Sequence, residues 1–277
     1  TPVNGPHQGG WVHTASGEDW FLHFQDKGCY GRVVWLEPMK WVDDWPVVGE
    51  DPDGDGCGQP VLTYRKPAVP SSLPVNPAES DEFDTANLGL QWQWHSNYQD
   101  LYGFTTPYGF LRLYSWPLSK KYINLWEASN MLLQKFPAET FTATTKITMV
   151  SKENGQEGGL IVMGWDYAAL TVRREGDRFI LRYRVCKDAE QGGKEAIEKV
   201  AVLEPTSRQT IIYSPTVSCA LYLRVQVGEA GMCRFAYSLD GQTFTPCGEP
   251  FKARQGKWIG AKVGYVCVEP HADPAVN

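Results

Sequence analysis

Residues able to do chemistry fall into a few short stretches of this 277-residue chain. The first, GPHQGG, places His7 in a turn where Gly5, Gly9 and Gly10 permit close backbone approach. The second, YGRVV, presents Arg32, whose planar guanidinium gives two fixed hydrogen bonds to hydroxyl or carboxylate oxygens; the plain alternative is a solvated strand arginine. In the third, DPDGDG, Asp51, Asp53 and Asp55 occupy the first, third and fifth positions of a calcium-type loop, with Gly56 at the sixth. Position twelve is Leu62, where an EF-hand needs a bidentate glutamate, and no helix flanks the run, so a polar loop is expected. The fourth, LQWQWHSN, has Trp92 and Trp94 two residues apart, hence on one side of a strand. With Tyr98 and Trp126 they are candidates for a platform on which a sugar ring stacks, burial in the core being the alternative. Glu18, Asp19, Asp26, Glu37, Asp43 and Asp44 each read by default as a solvated loop charge, and none is nominated as acid or base.

The elements that must position these residues are strands. WFLHF at Trp20 to Phe24, RVVWL at Arg32 to Leu36 and PVLTY at Pro60 to Tyr64 are β-type runs separated by turn formers such as SGED, DKGCYG and GEDPDGDGCG. Residues 67–80, rich in proline and poor in apolar side chains, read as an extended linker between a segment over 1–66 and a domain over 81–277. Beyond it, Phe141, Ala143, Thr145, Ile147 and Met149 alternate with polar neighbours at period two. The same alternation marks Phe179 to Val185 and Leu221 to Val227, with hairpin turns expected at Glu175–Asp177 and at Asp240-Gly241. No long segment has a helical period, so the fold class is all-β, with an antiparallel sandwich after the linker.

Composition narrows the function. A formal charge of -6 leaves no basic stripe for a phosphate backbone, which excludes nucleic acid as a partner. No apolar run approaches the roughly 20 residues that span a bilayer, so no membrane is expected. TPVNGPHQGG lacks the charged and apolar regions of a signal peptide, leaving the compartment open between secreted and cytoplasmic. Seven cysteines without CxxC spacing argue against zinc and read as free, mostly buried thiols. Aromatic residues make up 13% of the chain, which fits strand cores and sugar stacking alike.

From Gly5 to Pro60, the run GPHQGGWVHTASGEDWFLHFQDKGCYGRVVWLEPMKWVDDWPVVGEDPDGDGCGQP resembles the last blade region of a family 43 glycoside hydrolase. DEFDTANLGLQWQWHSN, GFLRLYS, NLWEASNMLLQKF and GKWIGAKVGYVC are similar to the concanavalin-like, jelly-roll sandwich that follows the propeller in its β-xylosidase-like members. The resemblance implies partial propeller blades followed by that sandwich, and inverting hydrolysis of xylan- or arabinoxylan-derived substrates by an exo-β-xylosidase or α-L-arabinofuranosidase. Inversion takes two carboxyl groups roughly 6.5 to 9.5 Å apart, and in the family these come from earlier blades. No catalytic residue is therefore expected in this chain, which reads as cut at both ends, HADPAVN stopping short of a final strand. His7 matches a histidine at the propeller centre, near the sugar and often beside a hydrated metal ion, while Arg32 matches an arginine that reaches substrate hydroxyls. Asp81 and Asp84, in DEFD, match acids that hold a structural calcium in related sandwiches; no organic cofactor is implied. An amino-terminal propeller fragment or a second copy is the expected cover for open strand edges. The alternatives are a non-catalytic xylan-binding module and a subunit that completes a propeller with another chain.

Overall fold

The computed structural model describes residues 3, 5, 7–211 and 214–269. It opens with a four-stranded antiparallel meander: β1 (Gly9–His13), β2 (Asp19–Asp26), β3 (Arg32–Val42) and β4 (Trp45–Val48), paired in sequence order. PVLTY, expected as a strand, is not one. Pro60 has no N–H to give a ladder, and the Val61 N–H donates instead to the Glu37 carboxylate at 2.8 Å. Trp45–Val48 takes the fourth place. There, Asp43 and Asp44 turn the chain through the left-handed region that Asp tolerates.

Strands β5 (Gln93–Trp94), β6 (Gly103–Thr106), β7 (Phe110–Leu113) and β8 (Trp116–Pro117) are short. They are followed by β9 (Met131–Lys135), β10 (Phe141–Ser151), β11 (Glu157–Met163), β12 (Tyr167–Glu175), β13 (Arg178–Cys186) and β14 (Glu195–Leu203). The last are β15 (Ser207–Ile211), β16 (Ser214–Val227), β17 (Met232–Ser238), β18 (Thr245–Lys252) and β19 (Lys262–Glu269). One sheet runs β14-β13-β12-β11-β19-β9-β5, with β8 parallel to β19; the other runs β10-β16-β17-β18, with β15 also on β16. β6 and β7 form a separate hairpin. Helical structure among the described residues is confined to 3₁₀ turns. HADPAVN lies outside the described residues.

The two sheets close on one core. Leu160 and Val162 of β11, Leu170 and Val172 of β12 and Phe179 and Leu181 of β13 meet Leu221, Leu223, Val225 and Phe235. Alternation turns the other residues of β11, Ile161 and Met163, into a second cluster with Leu125, Met131, Leu133 and Tyr167, so the large sheet is buried on both faces. The expected turn at Glu175–Asp177 is a two-residue hairpin on Gly176-Asp177. The turn at Asp240-Gly241 is wider than expected and QTF is not a strand. The Ser238 and Asp240 side chains collect the backbone N–H groups of residues 240 to 243 and replace the ladder. All seven cysteines are free and six are buried, Cys57 being exposed. Burial raises the thiols of Cys233 and Cys247 to about 12, which keeps them inert.

Candidate functional site

The sandwich docks on the meander through two glycines. Gly31 has a positive φ, and a Cβ there would meet the Gly260 amide nitrogen at 2.5 Å. The Ala261 N–H donates to the Cys29 carbonyl at 2.7 Å, and the Gly231 N–H to the Tyr30 hydroxyl at 3.0 Å. This contact fixes the loop before β19, so that Trp258 projects beside the end of the β2–β3 hairpin. Trp258 is 69% exposed and adopts φ +65°, unusual for a bulky residue and costing about 1–3 kcal/mol. Docking holds a ring in the open that hydrophobicity alone would bury.

Around it the structure assembles both residues singled out near the amino terminus. Asp26 and Arg32 are opposed in the β2–β3 register, with Arg32 Nε 3.4 Å from Asp26 Oδ1. His7 Nε2 lies 3.4 Å from the other oxygen, the ring stacks on Phe24 at 5.3 Å, and the His7 N–H donates to the Phe24 carbonyl. The Arg32 guanidinium is 4.4 Å from the Phe24 ring centre and 5.1 Å from that of Trp258. These half-exposed contacts contribute little stability. They give orientation: an arginine fork held between two flat rings, beside a histidine and a carboxylate, the donor and stacking set that binds a polyhydroxylated ring. Among the described residues, Asp26 faces the Arg32 guanidinium and the His7 imidazole.

The four aromatic residues expected to form a platform are divided. Trp92 packs with Phe83 and Tyr265, its indole N–H donating to Asp81 at 2.8 Å. Trp94 packs in tilted contact against Tyr98, with ring centres 5.2 Å apart, and against Tyr102. Trp126 meets His95 edge to face at 5.3 Å. The pair brought together is therefore Trp94 with Tyr98. A turn precedes β5 at Gly89–Trp92, so the two-residue alternation does not extend back to Trp92. Asp81 accepts from the Trp92 indole with one oxygen and from the Phe83 N–H with the other, while Asp84 is exposed. The carboxylates that do converge are Asp51, Asp53 and Asp55, where Asp51 already receives the N–H groups of Gly54, Asp55 and Gly56.

A polar network lies under Trp126. Glu157 receives Arg182 and Arg184 at 3.0 Å and Arg173 at 3.6 Å, and Arg184 continues to Glu195, which also binds Tyr167. The Leu125 N–H donates to the Tyr167 hydroxyl, and Asn124 bonds Ala189, Gly193 and Trp126, so the network positions the 122–126 turn. Burial would raise the Glu157 carboxyl, but Arg184 and Arg182 outweigh it and hold it below the usual range.

Missed from sequence were Trp258, Phe24, Asp26 and this network. Phe24, Asp26 and Arg32 were within reach of hairpin pairing, since FQDKGCYGR sets a turn between two β-type runs. For Trp258 no local signal existed.

Residues 80–275 match the family model of the beta xylosidase C-terminal concanavalin A-like domain. The chain is 33% identical over 268 residues to a putative beta-xylosidase of Xylanibacter ruminicola, covering 95% of this chain and 45% of that protein. It is 30% identical over 281 residues to a beta-xylosidase of Formosa agariphila, covering 93% and 44%. Among solved structures, a bifunctional GH43-CE protein of Bacteroides eggerthii superposes with a TM-score of 0.70 at 21% identity, over 95% of this chain and 32% of that one. The chain thus spans less than half the length of these curated relatives. By the matched domain, the identity along nearly its whole length and the shared fold, this chain belongs to glycoside hydrolase family 43.

Proposed function

We propose that the chain forms part of an inverting exo-glycosidase that releases sugars from xylan or arabinoxylan oligosaccharides, as a β-xylosidase or α-L-arabinofuranosidase. In this reading His7, Phe24, Asp26, Arg32 and Trp258 make one wall of the sugar pocket. The observation that carries the reading is the convergence of Arg32, Phe24 and Trp258 from two domains on one open corner. The names of the two relatives support the substrate class. Arg32 would bind sugar hydroxyls while the rings pack against its apolar face, and His7 would fix the edge of the pocket.

The acid and base are assigned to chain outside these residues, because inversion needs two carboxyl groups astride the sugar and the cluster holds only Asp26. Support comes from the meander, which exposes apolar side chains on both faces. Trp11 and Trp41 meet edge to face on one; Val12, Leu22, Val34 and Leu36 line the other. A blade flanked by neighbours on both sides has this composition, whereas an outermost layer does not. An amino-terminal propeller fragment is the proposed cover.

Turnover of an aryl xyloside tests the reading. The 277-residue chain alone should release no sugar, and adding a propeller fragment of a relative should restore release, which Arg32→Ala then abolishes. Release by the lone chain would overturn the assignment of the acid and base. The second reading, a xylan-binding module, is favoured by the Trp94–Tyr98 pair; retarded migration in xylan gels, lost in Tyr98→Ala, would support it.

A further inference from the structure

Lys262 opens β19 directly opposite Lys135 of β9, and it is only 9% exposed. Like charges directly opposed across a ladder repel, and a buried ammonium without a partner is costly. Yet neither lysine has an acidic ion-pair partner among the described residues, in a chain where Glu157 alone collects three guanidiniums. A third basic group is close by. His95 is half-buried, donates to the Trp126 carbonyl at 2.9 Å and meets the Trp126 ring edge to face. Burial, and then the Lys262 charge, lower the His95 pKa; burial, and then Lys135, lower that of Lys262. Trp126 packs against the same cluster as Met163, the cross-strand neighbour of Lys262 on β11. Trp126 thus supplies a flat apolar wall next to positive charge that nothing in the described chain neutralises.

We propose that Lys262 and Lys135, with His95 and Trp126 beside them, bind the carboxylate of a sugar acid. The carboxylate neutralises the lysine pair through charge-assisted hydrogen bonds, and the apolar face of the sugar ring rests against the indole. Such an acid is either a free hexuronate or a hexuronate substituent on a xylan chain. The second case rests on the function proposed above, and it places an acidic branch near the sugar corner. Lys262 is four positions after Trp258, at most about 14 Å of extended chain.

The test uses the 277-residue chain at low salt, with glucuronate, acetate, xylotriose and glucuronate-substituted xylotriose as probes in thermal-shift and titration calorimetry. Glucuronate should raise the melting temperature more than acetate does. The substituted trisaccharide should bind about tenfold more tightly than xylotriose, the scale of one charge-assisted contact. Lys262→Met should remove both effects and raise the melting temperature of the unliganded protein, and exposed Lys135→Gln should reduce both without threatening the fold. Equal shifts by acetate and glucuronate would refute a sugar acid. Equal affinity for the two trisaccharides, or a preference that survives both variants, would refute the lysine pair. If neither trisaccharide binds while the lysine-dependent glucuronate shift persists, the site stands and the xylan reading fails. No response to any probe overturns the site.

Discussion

Replacing Glu157 by glutamine keeps the side-chain shape and removes one charge from the centre of the buried network. Glu157 is 3% exposed at its side chain and carries the 3.0 Å contacts of Arg182 and Arg184, the 3.6 Å contact of Arg173 and the Thr171 hydroxyl. Arg184 retains Glu195, whereas no other ion pair holds Arg182 among the described residues. Removing one partner of a buried pair costs about 3–5 kcal/mol, because the other charge is left uncompensated, and the surviving Glu195 contact puts the expectation near the lower bound. At about 2–4 °C per kcal/mol for a domain of this size, the melting temperature should fall by roughly 6–12 °C. Urea unfolding followed by tryptophan fluorescence measures the loss directly. The pH dependence supplies a second check. Since the Glu157 pKa is lowered in the fold, its stabilisation is complete above the ordinary glutamate value of about 4.3 and is lost as pH falls through the folded value. The gap between wild type and variant should therefore narrow in acid. A loss below about 1 kcal/mol, the range of exposed pairs, or a gap independent of pH, would refute the claim that the network anchors the 122–126 turn.

Gly31→Ala forces a Cβ into the Gly260 amide at a positive φ and should cost about 1–3 kcal/mol, seen as faster proteolysis of the 67–80 segment as the domains part. Trp258→Ala leaves the core intact, so the melting temperature should move by less than about 0.5 kcal/mol equivalent while sugar binding weakens about fivefold or more, measured by calorimetry on the complemented enzyme. His95, whose pKa is lowered in the fold by burial first, resists a proton that the unfolded chain accepts. Stability should therefore fall below about pH 6.5, with a slope of up to about 1.4 kcal/mol per pH unit that His95→Gln removes.

The sequence by itself determined the fold class and much of the strand pattern. Period-two alternation in β10 and β16 is a local property that burial of one face imposes on any strand, so it could be read without knowing the partner strand. Resemblance along the chain carried the family. What local reasoning missed lies where distant segments compete for the same groups. Val61 gave its N–H to Glu37, 24 residues away, and a strand disappeared. Trp92 was drawn to Asp81 and Tyr265, away from Trp94. The corner that joins Arg32 to Trp258 forms because Gly31 lets the loop carrying Trp258 close against the β2–β3 hairpin, more than 220 residues earlier in the chain. Alternation is a constraint along the chain, whereas convergence of charge and aromatic rings is set by packing between segments, and only the tertiary structure decides it.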